Sequence, residues 1–254
     1  MRVRFSGETN IGMKRKHNED SFLIPDFERV VVVADGMGGH ASGEVASGMA
    51  VQSVGEYLQA TLEHPIVTWP FKLDTGVRYD TNRLVIAIKH ANQRIYETAQ
   101  QDEAKHGMGT TIVAALFSDD RAIVAHVGDS RCYRLRRNQL IQLTEDHSLL
   151  NDYMKMKRLS GEDTGRFTQK NVIVRALGMK ESVQVDTMID QPQIDDIYLL
   201  CSDGLSGMVS DPQIADILRN ESDLDNACER LIRAANEAGG TDNITAILCR
   251  IERL

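Results

Sequence analysis

TTIVAALFSDDRAIVAHVGDSRCYRLRRNQLIQL, residues 110–143, is the stretch from which the fold can be read. Its apolar segments, 110–117, 122–127, 132–136 and 140–143, are too short for helices of ordinary length and suit strands. Ser118-Asp119-Asp120, Gly128-Asp129-Ser130 and Arg137-Asn138 separate them. These residues favour turns because they tolerate tight backbone bends or hydrogen-bond into them. The spacing predicts an antiparallel meander.

Outward from this stretch, Val30-Val31-Val32-Val33-Ala34 reads as a strand covered on both faces, and it stops at Asp35-Gly36. Ser42 can cap a helix with apolar positions Val45, Met49, Val54 and Leu58, and a second helix follows with Leu84, Ile88, Ala91 and Ile95. Between them, residues 63–82 carry two of the five prolines and Trp69, and read as a long surface connection onto which Trp69 docks. After the meander, a polar helical stretch at 148–159 and a loop at 161–169 suggest a small flap over approximately 146–171. The last third reads as strands at 183–189 and 197–201, helices from Asp211 and Asp223, and a final strand from Ile244. Strands and helices come in blocks, which argues for an α+β layered fold with antiparallel sheets in one domain, 1–254.

With 37 acidic against 29 basic residues the chain carries a formal charge of −8, which disfavours nucleic acid or an anionic membrane as partner. MRVRFSGETN at the start lacks the apolar stretch of a signal peptide, and no apolar run is long enough to cross a bilayer. A soluble cytoplasmic protein is expected. Cys132, Cys201, Cys228 and Cys249 show no metal-ligand spacing and read as unpaired core thiols.

Four aspartates sit at strand boundaries: Asp35, Asp129, Asp203 and Asp242, each with a glycine within two residues. Strand ends brought to one edge of a layered sheet would cluster these carboxylates. Clustered carboxylates repel unless a cation neutralises them or protons stay bound. An oxygen-only set suits Mg²⁺ or Mn²⁺, and the spacing is not that of a calcium loop. Taken singly, each Asp-Gly also fits an ordinary turn.

The order of short motifs is more specific. Arg15-Lys16-His17-Asn18-Glu19-Asp20, Asp35-Gly36-Met37-Gly38-Gly39-His40, Gly107-Met108-Gly109-Thr110-Thr111, Gly128-Asp129-Ser130-Arg131, Ser202-Asp203-Gly204 and Asp242-Asn243-Ile244-Thr245 resemble, in this order, the motif series of the PP2C (PPM) metal-dependent protein phosphatases in their bacterial form. The resemblance implies a central sandwich of two antiparallel β-sheets flanked by α-helices on both sides, with a flap. It implies two Mn²⁺ or Mg²⁺ ions per chain and a weaker third. By motif position Asp35 bridges two ions and the Gly36 carbonyl binds one. Asp203 and Asp242 complete the other ion, Glu19 acts through water, and Asp129 with Asp203 serves the third. Arg15 falls where the family holds the substrate phosphate, and a guanidinium fork suits two phosphoryl oxygens.

In such a centre an ion-activated water attacks phosphorus, with no side-chain nucleophile. The leaving alkoxide needs a proton, from His40 or from a water on an ion. His147 is expected to make a structural hydrogen bond, and His126 to be packed in its strand. The resemblance departs at Arg166-Phe167-Thr168-Gln169-Lys170-Asn171 and at the long 63–82 segment, which bears on substrate preference and flap behaviour. The expected reaction is hydrolysis of phosphoserine and phosphothreonine in proteins. Expected partners are phosphorylated proteins, including a Ser/Thr kinase and its substrates, met by a monomer. A non-catalytic phosphoprotein-binding regulator and a hydrolase of small phosphoesters are the alternatives.

Overall fold

The computed structural model describes residues 1–38, 42–63, 71, 74, 76–118, 120–157 and 172–254. His40, Trp69 and the departure at 166–171 lie outside them, as does much of the expected flap. In chain order come β1 (Arg2–Asn10), β2 (Asp20–Leu23), β3 (Val30–Met37), α1 (Ser42–Glu63) and α2 (Tyr79–Gln101). Next are β4 (Gly109–Thr110), β5 (Ile112–Ser118), β6 (Arg121–Val127), β7 (Arg131–Arg136), β8 (Gln139–Gln142) and α3 (Leu149–Lys157). The last third holds β9 (Asp186–Asp190), β10 (Ile197–Cys201), α4 (Asp203–Ser206), α5 (Asp211–Asn220), α6 (Leu224–Glu237) and β11 (Ile244–Arg253).

The strands form two antiparallel sheets, β1-β11-β10-β7-β8 and β2-β3-β5-β6-β9, with β4 paired to the end of β3. The alternation of side chains along each strand sorts the apolar residues into three cores. Val31, Val33, Val113, Phe117 and Val124 meet Cys132, Tyr198, Leu200, Ile247 and Cys249 between the sheets. Phe117 and Tyr198 close this layer edge to face, with centroids 5.3 Å apart. The opposite face of the second sheet, with Val30, Val32, Ala114 and Leu116, packs on Val54, Leu58, Leu84 and Ile88 of α1 and α2. Tyr133, Leu135, Leu199 and Leu248 on the first sheet pack on Ile214, Leu218 and Leu231 of α5 and α6. Burial on both faces explains the unbroken valine run, each fully buried valine contributing roughly 1.5–3 kcal/mol. The α+β sandwich with helices on both sides is therefore the observed architecture.

One local expectation is corrected. Residues 110–143 do not form a single meander: β5 and β6 pair in one sheet, whereas β7 and β8 pair in the other. Gly128, at φ 111°, holds a conformation that side chains resist, and Gly128-Asp129-Ser130 carries the chain across the sandwich instead of turning it back. The strand expected at 183–189 begins at Asp186, and β1 and β2 have no counterpart in the sequence reading.

The helices are anchored by named contacts. The Ser42 hydroxyl donates to the Ala104 carbonyl at 3.2 Å. Ser210 and Gln213 form a capping box on α5, and the Asp223 carboxylate accepts from the backbone of Asp225 and Asn226 at the start of α6. Arg83 on α2, 3% exposed, forks onto Glu28 at 2.9 and 3.1 Å and also donates to the Leu58 carbonyl of α1. The four cysteines are buried and unpaired. Among the described residues no helix is long and apolar enough to cross a membrane.

Candidate metal centre

Five aspartates meet at one end of the sandwich. Asp35 lies near the end of β3, and Asp20 stands directly opposite it in the β2–β3 register. Asp203 opens α4 after β10, Asp242 lies in the turn before β11, and Asp129 sits in the crossing from β6 to β7. Burial, and then the charges of Asp20, Asp203, Asp129 and Asp242, hold the Asp35 carboxyl well above the usual range. Asp203 is raised by burial and by Asp242, while a hydrogen bond shared with Asp35 pulls it down. Burial first and Asp203 second push Asp129 up to about 7.

Close backbone approach is what the neighbouring glycines supply. A Cβ on Gly36 would lie 2.1 Å from the Gly43 carbonyl oxygen, and one on Gly204 would lie 1.9 Å from that of Asn243. A side chain at Gly204 would push the segments bearing Asp203 and Asp242 apart, and one at Gly36 would push the end of β3 off the start of α1. Asn243 ties the remaining loop: its side chain accepts from the Glu19 backbone at 2.8 Å and donates to the carbonyls of Ile11 and His17 at 3.0 and 2.9 Å. Glu19 in turn accepts from the Gly36 backbone at 3.0 Å, and its carboxyl lies beside Gly43 at the start of α1. Arg15, on the same loop, donates to the Asp242 carboxylate at 2.5 Å.

Asp20 is the residue that sequence reasoning passed over. It is 6% exposed, and its Oδ2 accepts from Ser202 at 2.8 Å and Thr245 at 2.6 Å. Burial pushes it up to about 6 against these hydrogen bonds. Its place directly after Glu19 in the Asn18-Glu19-Asp20 run was the available signal. His147 takes a supporting position: Nδ1 accepts from the Gly128 backbone at 3.0 Å and Nε2 meets Asp186 at 3.0 Å, so the ring holds the turn that presents Asp129. His126 is buried and stacks on it, with centroids 4.6 Å apart. Arg131 forks onto Asp146, which fixes the start of β7 against the segment leading to α3.

This donor set fits divalent cations. Oδ1 of Asp20 and Oδ1 of Asp129 are buried without a hydrogen-bond partner, and the converging groups are carboxylates, the ligands of hard ions. Among the described residues no three acidic, His or Cys side chains are already drawn together as a finished ligand shell. Asp242 is engaged by Arg15 instead, a cation in contact with the same carboxylate set. Asp129, Asp203, Asp242 and Asp146 line a cleft of about 310 Å³ that opens from this end to solvent.

Comparison with known proteins shows the family. The family model for protein phosphatase 2C matches residues 13–249. The chain is 40% identical to the serine/threonine phosphatase stp of Listeria welshimeri, over 94% of this chain and 92% of that protein. It is 38% identical to protein phosphatase PhpP of Streptococcus pneumoniae, over 94% of each. Its structure is similar to that of the Mycobacterium tuberculosis serine/threonine phosphatase PstP/Ppp, with a TM-score of 0.86 and 32% identity over 99% of each chain. The catalytic domain of PstP in complex with two manganese ions superposes with a TM-score of 0.82 and 31% identity, again over 99% of each chain. The chain belongs to the protein phosphatase 2C family of metal-dependent serine/threonine phosphatases.

Proposed function

We propose that this phosphatase hydrolyses phosphoserine and phosphothreonine in proteins with two Mn²⁺ or Mg²⁺ ions held by Asp35, Gly36, Asp203 and Asp242. The observation that carries the assignment is geometric: Asp35 faces Asp20 across β2 and β3, Asp129, Asp203 and Asp242 line one cleft, and Oδ1 of Asp20 and of Asp129 are buried without a hydrogen-bond partner, a carboxylate cluster that calls for positive charge. When bound, such ions supply Lewis acidity to a water nucleophile and neutralise charge on the phosphoryl oxygens.

Each residue then has a part. Asp35, the Gly36 carbonyl, Asp203 and Asp242 would hold the two ions, which would supply the charge that activates water. Glu19, beside the start of α1, would act on the ions through water, and Asp129 with Asp203 would hold a third, weaker ion. Asp20 positions the others by holding Ser202 and Thr245. Arg15, whose side chain is 48% exposed, exchanges the Asp242 carboxylate for two phosphoryl oxygens when substrate arrives. His40 is the candidate proton donor to the departing alkoxide. The unit is a single domain, 1–254, with a flap at approximately 146–171. It acts in the cytoplasm as a monomer on phosphorylated proteins, among them a Ser/Thr kinase that it opposes and the substrates of that kinase.

The test is phosphate release from a phosphothreonine peptide with Mn²⁺, with Mg²⁺ and with chelator, for wild type beside Asp203→Asn. Metal-dependent release that disappears in the variant supports the assignment. Equal release from both removes Asp203 from the centre. A small phosphoester preferred over the peptide by orders of magnitude in kcat/KM would replace the protein substrate.

A further inference from the structure

The β7–β8 hairpin turns at the end of the sandwich away from the carboxylates. There a cleft of about 590 Å³ lies between the hairpin, the loop before β10, the end of α5 and β11. Of the charged side chains lining it, Arg136 is neutralised by Asp196 at 2.6 Å, and Glu221 faces Arg230 at 3.6 Å. Arg219 donates to the carbonyl of Asn138 at 3.0 Å and Arg250 to that of Ser222 at 2.6 Å, while Arg137 is exposed and meets no partner among the described residues. None of these three guanidinium groups meets a carboxylate among the described residues, and Asp195 is the one lining acid left without a cation. Arg4, opposite Arg250 in the β1–β11 register, is held instead by Asp223 and Asp225.

In a chain of net charge −8, three unneutralised guanidinium groups around one concavity set up a local positive potential. Arg137 adopts φ 48° and Asn138 φ 65°, as a two-residue hairpin turn requires. Glycine or asparagine suits the first position without strain, so stability alone does not select an arginine there.

We propose that this cleft binds an acidic segment of the proteins on which the enzyme acts. The inference rests on the phosphatase reading of the opposite end for the role of the segment, and on the cleft alone for its chemistry. Carboxylates of the segment pair with Arg137, Arg219 and Arg250, and Ile194, 55% exposed at the rim, offers an apolar contact. From Ile244, beside Asp242, β11 rises about 20 Å to Arg250. A single extended substrate therefore needs at least about six residues between its phosphoresidue and its acidic tract to engage both ends.

Two measurements test this. Anisotropy of a labelled oligoglutamate peptide is read with wild type, Arg137→Gly and Arg219→Gln; the first variant relaxes the turn that it alters. Steady-state kinetics are read on phosphothreonine peptides with a glutamate tract placed about three or about fifteen residues away. Wild type should bind oligoglutamate, and KM should fall about fivefold for the long spacing alone, with kcat unchanged. Both effects should be lost in the variants, while turnover of a small aryl phosphate stays the same. Equal oligoglutamate binding by wild type and variants, no binding, or tighter binding of single-stranded DNA would overturn the proposal. Absence of aryl phosphate turnover in wild type would instead sink the phosphatase reading, leaving the anisotropy to decide the cleft.

Discussion

Asp20 and Asp35 are direct cross-strand partners, so two carboxylates face each other at the end of the β2–β3 pair where like charges repel. Asp20 is restrained by the hydroxyls of Ser202 and Thr245 from the other sheet. Asp20→Asn should keep the fold but lower Mn²⁺ affinity and kcat/KM by roughly 10–100-fold, as loss of an outer partner of a metal centre does. A Mn²⁺ titration of activity checks this; an unchanged half-saturation would make Asp20 purely a packing residue.

Acid should weaken the protein through His147 and His126. Burial holds both imidazoles below the ordinary 6.5, so the folded state favours their neutral forms. The unfolded chain then binds protons more readily, and the stability that these groups contribute is present above about pH 6.5 and lost as pH falls through their folded values. Protonation of His147 also removes the acceptor for the Gly128 N–H. Melting temperature should decline below about pH 6.5, and His126→Gln should flatten the decline. An identical slope in the variant would exclude this origin.

Arg83 is buried with its charge satisfied by Glu28 and a carbonyl of α1. Arg83→Ala leaves Glu28 without its partner and should cost about 3–5 kcal/mol. Urea unfolding reads the loss directly. Turnover per folded molecule should change little, since Arg83 lies on α2, Glu28 lies in the segment before β3, and neither lines the carboxylate cleft.

Gly204→Ala forces a Cβ onto the Asn243 carbonyl. The segments bearing Asp203 and Asp242 must separate, so metal-dependent activity should fall by at least about 100-fold, the scale of a misplaced reacting group. Activity within twofold of wild type, roughly, would show that the contact relaxes without moving the aspartates.

The valine run and the short apolar segments of 110–143 made the strands legible, since period and length separate them from helices. The aspartates at 35, 129, 203 and 242 were legible for the same reason, each with a glycine within two residues near where a strand begins or ends. Asp20 was not, because β2 has only four residues and its partners lie 182 and 225 positions away. The crossing at Gly128 was hidden too, because a turn-forming tripeptide does not say whether the next strand pairs with its predecessor or with the facing sheet. β1 reads Arg-Val-Arg-Phe-Ser, a half-polar alternation that a search for apolar runs passes over.

Asp20 and Asp35 belong to one sheet, whereas Asp203 and Asp242 border strands of the other. A cation held by Asp35 on one side and by Asp203 and Asp242 on the other would staple the open mouth of the sandwich as well as serve as a reagent. Ligation that exists only in the folded chain adds stability that grows with the logarithm of free ion concentration, about 2.7 kcal/mol at a hundredfold excess over Kd. Melting temperature would then gauge the free ion, and chelation would loosen the two sheets at the carboxylate end.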